Sequence, residues 1–180
     1  MRRSDREIGW DDALIERARS LFTDTASRFN LQYDWDETSP MGVACIYPAQ
    51  NGLDFDLWLS LNDEEFVCSG DQWYASLSPA DDQSKWELIV QLVEGLITGD
   101  ARLVLYKAIG WSKPYWTEVQ LQIDGCWESV STGAGCAIPP VVRPTILRNG
   151  HQPKVGLFRP ALGSSILLIV VIGLIYWIAK

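Results

Sequence analysis

Histidine is almost missing from this chain: His151 is the only one in 180 residues. That removes the common imidazole-based zinc sites and the Ser-His-Asp arrangement, and leaves carboxylate or thiol chemistry as the catalytic options. Cysteine is sparse as well. Cys45, Cys68, Cys126 and Cys136 show no zinc-type spacing, and the charged start Met1-Arg2-Arg3-Ser4-Asp5-Arg6-Glu7 leads into no apolar run that would signal secretion. Reduced thiols are therefore expected, with Cys45, Cys68 and Cys126 as small buried hydrophobes in strand-like runs. No nucleotide loop is present. Ser131-Thr132-Gly133-Ala134-Gly135-Cys136 is glycine-rich but lacks the Lys-Ser/Thr pair of a phosphate loop. Pro139 and Pro140 follow it where a helix would be needed, so it reads as a flexible exit from a domain, and no cofactor is expected. There are no internal repeats.

Acidic residues vanish toward the end. Between Gly133 and Pro160 there is no Asp or Glu, while Arg143, Arg148, Lys154 and Arg159 are present. From Pro160 to Ala179 all charge disappears, and Lys180 closes the chain. As a helix that stretch is about 30 Å long, which matches the hydrocarbon core of a bilayer. Leu162, the unbroken run Ile166, Leu167, Leu168, Ile169, Val170, Val171 and Ile172, then Leu174 and Ile175, supply the apolar surface. Tyr176 and Trp177 stand where interfacial aromatics belong. A helix apolar all round requires protein on every side if it is to be core, and a domain of this size could hardly surround five turns. A GPI signal would use the small residues Gly163, Ser164 and Ser165, but it also requires a secretion signal. The expectation is a C-terminal membrane anchor over 160–180. The four basic residues before it place the preceding domain on the cytoplasmic side and favour an anionic leaflet.

Charge elsewhere has the opposite sign. Residues 30–130 hold Lys85, Arg102, Lys107 and Lys113 against seventeen acidic side chains. Such a surface repels phosphate backbones and argues against nucleic acid as a partner; it favours a basic protein.

Local patterns supply the elements. Leu14, Ala18, Leu21, Phe22 and Phe29 recur at helical spacing within 10–29. Met41 to Tyr47 reads as a strand, and Asn51-Gly52 as a type I′ hairpin turn. Phe55, Leu57, Leu59 and Leu61 then alternate with Asp54, Asp56, Trp58 and Ser60, a half-buried strand by period two. Further strands are expected over 65–68, 72–77, 101–109, 116–123 and 126–131, with Asp124-Gly125 as a second I′ signal. Ser78-Pro79 marks a helix start and Gly99 its end. The expected fold is α+β: an antiparallel sheet with two helices on one face. The domain spans 1–131, a proline-bearing basic linker 132–159, and the anchor 160–180. This element order is comparable to that of small secretion chaperones and some toxin-immunity proteins, on order alone.

Eight tryptophans precede the apolar tail. Trp58 falls on the polar side of its strand, and Trp111-Ser112-Lys113-Pro114-Tyr115-Trp116 clusters aromatics at a turn. Exposed Trp and Tyr dominate protein-binding hot spots. The contact residues expected are Asp54, Asp56, Trp58, Trp111, Tyr115 and Trp116. The functional expectation is a tail-anchored, non-enzymatic protein whose acidic domain binds another protein, in an immunity-like or chaperone-like manner. Two alternatives stand beside it. One is a membrane-associated enzyme with Asp54 and Asp56 around a divalent cation; the other is a soluble protein whose last helix is core. The sequence carries no oligomer signal, since Gly163 and Gly173 are not at four-residue spacing.

Overall fold

Leu14, Ala18, Phe22 and Ala26 lie at four-residue intervals, so a helix places them in one stripe, and all four are buried on α1 (Asp12–Phe29). The computed structural model describes residues 12–36, 42–62, 64–134 and 142–150. Asn30 ends α1 in the left-handed region at φ 53°, and the Leu31 amide donates back to the Ala26 carbonyl at 2.8 Å.

Five antiparallel strands follow in chain order: β1 (Asp34–Trp35), β2 (Val43–Tyr47), β3 (Leu57–Asn62), β4 (Glu65–Gly70) and β5 (Trp73–Leu77). Period two sorts their side chains. Val43, Cys45, Tyr47, Leu57, Leu59, Leu61, Phe66, Cys68, Ala75 and Leu77 are buried toward the helices. Burial of each large aliphatic or aromatic chain stabilises by about 1.5 to 3 kcal/mol. The Tyr47 hydroxyl donates to the Phe22 carbonyl at 2.6 Å and pins the sheet to α1. Burial, with a smaller contribution from Asp34, pushes the Cys45 thiol up to about 12. Burial also raises Cys68 above the ordinary thiol range. Both are neutral packing groups at physiological pH. Cys126, expected to be buried with them, is exposed at the Asp124-Gly125 turn.

After α2 (Gln83–Thr98) come β6 (Ala101–Tyr106), β7 (Trp116–Ile123), β8 (Cys126–Ala134) and β9 (Thr145–Leu147). They form a second sheet in the order β8-β7-β6-β9, with every neighbouring pair antiparallel. The single sheet expected from sequence is therefore two. Alternation reveals which face of a strand is buried but not which strand lies beside it. β6 takes β9 as its second neighbour, and β5 of the first sheet lies against β8 rather than β6. α1 packs on β2 and β3, α2 on β6 and β7, and the helices touch each other, so each sheet has its own helix over one shared core.

Other local expectations shift. Asp82, not Ser78, caps α2: its Oδ1 accepts from the Ser84 amide at 2.8 Å and from the Ser84 hydroxyl at 2.6 Å, and its pKa is lowered by these bonds. Ser78-Pro79 is a cis peptide ahead of the helix. Gly99 does end α2, with φ 87°. Asp124 and Gly125 both have positive φ, as a type I′ turn requires, whereas at Asn51-Gly52 only the glycine does. β8 runs on to Ala134 through the expected glycine-rich exit. A Cβ on Gly133 would lie 2.8 Å from the Thr117 hydroxyl, so glycine is what permits that close approach.

Thr145–Leu147 pairs with β6 inside the stretch that reads as linker. The apolar run 160–180, including Leu162 and Ile166 to Trp177, and the linker residues Lys154 and Arg159 lie outside the described residues. Among the described residues, no helix is long and apolar enough to cross a membrane.

Candidate functional site

Strand register builds a row across the outer face of the five-stranded sheet. Ile46 lies opposite Trp58, Trp58 opposite Ser69, and Ser69 opposite Tyr74. The next row holds Ala44, Ser60, Val67 and Ser76. None of these eight residues is charged, in a chain of net charge −8. Trp58 is 45% exposed and Tyr74 57%. Two strand spacings separate them, about 10 Å, with only the Ser69 side chain between. The charged residues of this face, Asp34 beside Ile46 and Glu65 beside Asn62, stand at its margins, and aromatic rings that stay in water between them resemble the apolar centre of an interface.

The row continues past the β4–β5 turn into a cleft. Tyr74 lines an open cavity of about 350 Å³ together with Gly70, Trp73, Lys113, Tyr115 and Thr117. A second cavity of about 280 Å³ shares Trp73 and Asp71 and is bounded by Asp56 and Lys107. Tyr115 is buried in the cleft wall, its amide donating to the Tyr106 carbonyl at 2.9 Å. Its ring meets Trp111 edge-on at 6.2 Å between centroids. Trp111 is 59% exposed and Ile109, on the same loop, 83%. The four exposed large apolar side chains among the described residues therefore fall into one sheet-face row and one adjoining loop, linked through Tyr115.

Of the residues singled out from sequence, Trp58, Trp111 and Tyr115 belong to this surface. Trp116 does not. It begins β7 with its side chain on the outer face of the four-stranded sheet, where Nε1 donates to Glu118 Oε1 at 3.2 Å. Asp54 and Asp56 precede β3, which starts at Leu57, so they are not paired on one strand face. Each holds backbone instead: Asp54 Oδ2 accepts from the Gly150 amide and Asp56 Oδ1 from the Ala49 amide, both at 2.7 Å. Among the described residues no three His, Cys, Asp or Glu side chains gather as a cation would require.

Two participants escaped the sequence reading. Tyr74 was legible in principle, since burying Trp73, Ala75 and Leu77 by period two turns it outward. Ile109 carried no signal, because a lone aliphatic residue in a loop has no period. No protein-family model, curated protein or solved structure significantly matches this chain.

Proposed function

We propose that this protein is a membrane-tethered protein-binding domain, which captures its partner on the aromatic surface made by Trp58, Tyr74, Tyr115 and Trp111. The observation that carries this reading is the concentration of exposed large apolar side chains on that surface. Charges of both signs border it: Asp34 stands beside Ile46 at the sheet edge, and Asp56 and Asp71 share the cleft walls with Lys107 and Lys113. The chain's net charge of −8 favours a partner with a basic rim around an apolar centre, with charge steering the encounter and the aromatics holding the complex. The tether is the apolar stretch 160–179, which nine residues separate from the last described residue, Gly150.

A photo-crosslinking amino acid in place of Trp58, Tyr74 or Trp111 tests the surface in the full chain, with Asp24 on the exposed side of α1 as control. The expected result is one discrete protein adduct shared by the three positions and absent at 24, and a partner rich in Lys and Arg. With that partner purified, Trp58→Ala and Trp111→Ala are each expected to weaken binding about thirtyfold, the range of a central aromatic anchor. Equal adducts from all four positions, or none, would remove the surface from consideration.

A further inference from the structure

The outer face of the four-stranded sheet has a different chemistry. Register places Arg102 beside Gln120, Val104 between Ile146 and Glu118, and Tyr106 beside Trp116. The guanidinium carbons of both Arg102 and Arg148 lie over the Trp127 ring, at 4.2 and 5.1 Å from its centroid. A hydrogen-bonded chain runs along β7 to hold them. Trp116 Nε1 and Gln120 Nε2 donate to the two oxygens of Glu118, and Arg102 Nε donates to Gln120 Oε1 at 2.8 Å. Arg148 Nε donates to the Gly99 carbonyl. Glu118 is thus occupied by neutral donors. The ion pairs among the described residues are Arg19 with Glu16 and Arg28 with Glu94, so neither Arg102 nor Arg148 is paired with a described carboxylate.

Arg102 and Arg148 therefore bring like charge to one ring, with the Glu118 carboxylate near enough to favour the Arg102 cation but not ion-paired to it. Burial first, and then the like charge of Arg148, disfavour the Arg102 cation, and Glu118 and Tyr106 offset them only in part. An anion placed against both would relieve that repulsion and could accept from the planar guanidinium forks. The wider charge distribution agrees. Residues 101–180 hold eight Lys and Arg against three Asp and Glu, although the whole chain is acidic. Tyr106, Trp116 and Trp127 beside the arginines give the composition of a membrane–water interface, an apolar body with a polar tip. The ten steps from Gly150 to Pro160 reach at most about 36 Å, so the β9 end stays within that distance of wherever the apolar stretch 160–179 is embedded.

We infer that the outer face of the four-stranded sheet rests on an anionic bilayer, with Arg102 and Arg148 contacting headgroup phosphates and Tyr106, Trp116 and Trp127 at headgroup depth. This rests on the reading of 160–179 as the anchor. It orients the domain by setting the β6–β9 sheet against the membrane.

Fluorine NMR of the full chain, labelled with 5-fluorotryptophan and placed in lipid nanodiscs doped with a gadolinium-chelate lipid, tests both steps at once. Resonances are assigned by Trp→Phe variants. Trp177 serves as the anchor's own reporter: if it is not broadened, the anchor reading fails. With Trp177 broadened, discs containing phosphatidylserine are expected to broaden Trp116 and Trp127 while sparing Trp58 and Trp111. Arg102→Gln with Arg148→Gln is expected to lower the docked-to-free ratio about thirtyfold, the loss of two charges near an anionic surface. The corresponding double Lys variant should retain docking. Broadening of Trp177 without Trp127 would overturn the inference. So would equal broadening in neutral phosphatidylcholine discs, or a Trp127 shift produced by inorganic phosphate alone without docking, which would mark a free-anion site.

Discussion

Asn149→Ala is expected to destabilise the folded domain by about 3 to 5 kcal/mol, one of the largest effects available from a single polar side chain. Asn149 is buried two residues after the end of β9. Its Nδ2 donates to the Gly52 carbonyl at 2.7 Å and to the Ile97 carbonyl, and its Oδ1 accepts from the Asp54 amide at 2.8 Å. Asp54 returns the contact, accepting from the Gly150 amide. One side chain therefore joins the last turn of α2, the turn before β3 and the end of β9. Alanine leaves three backbone groups without these partners, at roughly 1 to 3 kcal/mol for each that stays dry. Urea unfolding of the full chain in neutral detergent measures the effect. Asn149→Asp should also be severely destabilised, because it keeps the acceptor and loses both donors. A change below about 1 kcal/mol would mean that water replaces the side chain and that the 145–150 segment is dispensable.

Gly95→Leu is expected to cost about 3 kcal/mol or more, because it drives α2 off the second sheet. A Cβ at this position would already lie 3.0 Å from Leu121 Cδ1 and 3.1 Å from the Ala101 amide nitrogen. The leucine side chain can yield; the strand backbone cannot. Gly95→Ala sets two effects against each other, since alanine favours the helix by about 1 kcal/mol over glycine while overpacking opposes it by a similar or larger amount. Its net change should be small, near 1 kcal/mol, and the contrast between Ala and Leu is the diagnostic. Equal stability of the two variants would show that α2 does not approach β6 and β7 as described.

Elements whose cause is local could be read from residues alone. The stripe from Leu14 to Ala26 specifies α1, and Asp124-Gly125 specifies its hairpin because both residues tolerate positive φ. Trp58 could be placed outward by counting from Leu57 and Leu59. What could not be read depends on partners far along the chain. β9 and Asn149 sit among prolines and basic residues that resemble a linker, and only pairing with β6 and contacts to Gly52, Asp54 and Ile97 give them a role. Asp54 and Asp56 looked like an exposed carboxylate pair because their backbone partners at 150 and 49 are invisible to a period-two pattern. The aromatic run 111–116 divided for a simpler reason: Tyr115 lines the cleft, while Trp116 begins a strand and turns to the opposite face of its sheet.

The tether proposed for 160–179 stands only if the domain is held at a membrane. The direct test is to fractionate cells expressing the full chain beside a chain ending at Gly150, and to wash the membranes with alkaline carbonate. The account predicts that the full chain stays in the washed membranes, while the chain ending at Gly150 is recovered folded in the soluble fraction. Recovery of the full chain in the soluble fraction, with the shorter form aggregating, would show that 160–179 completes the core and would contradict the account.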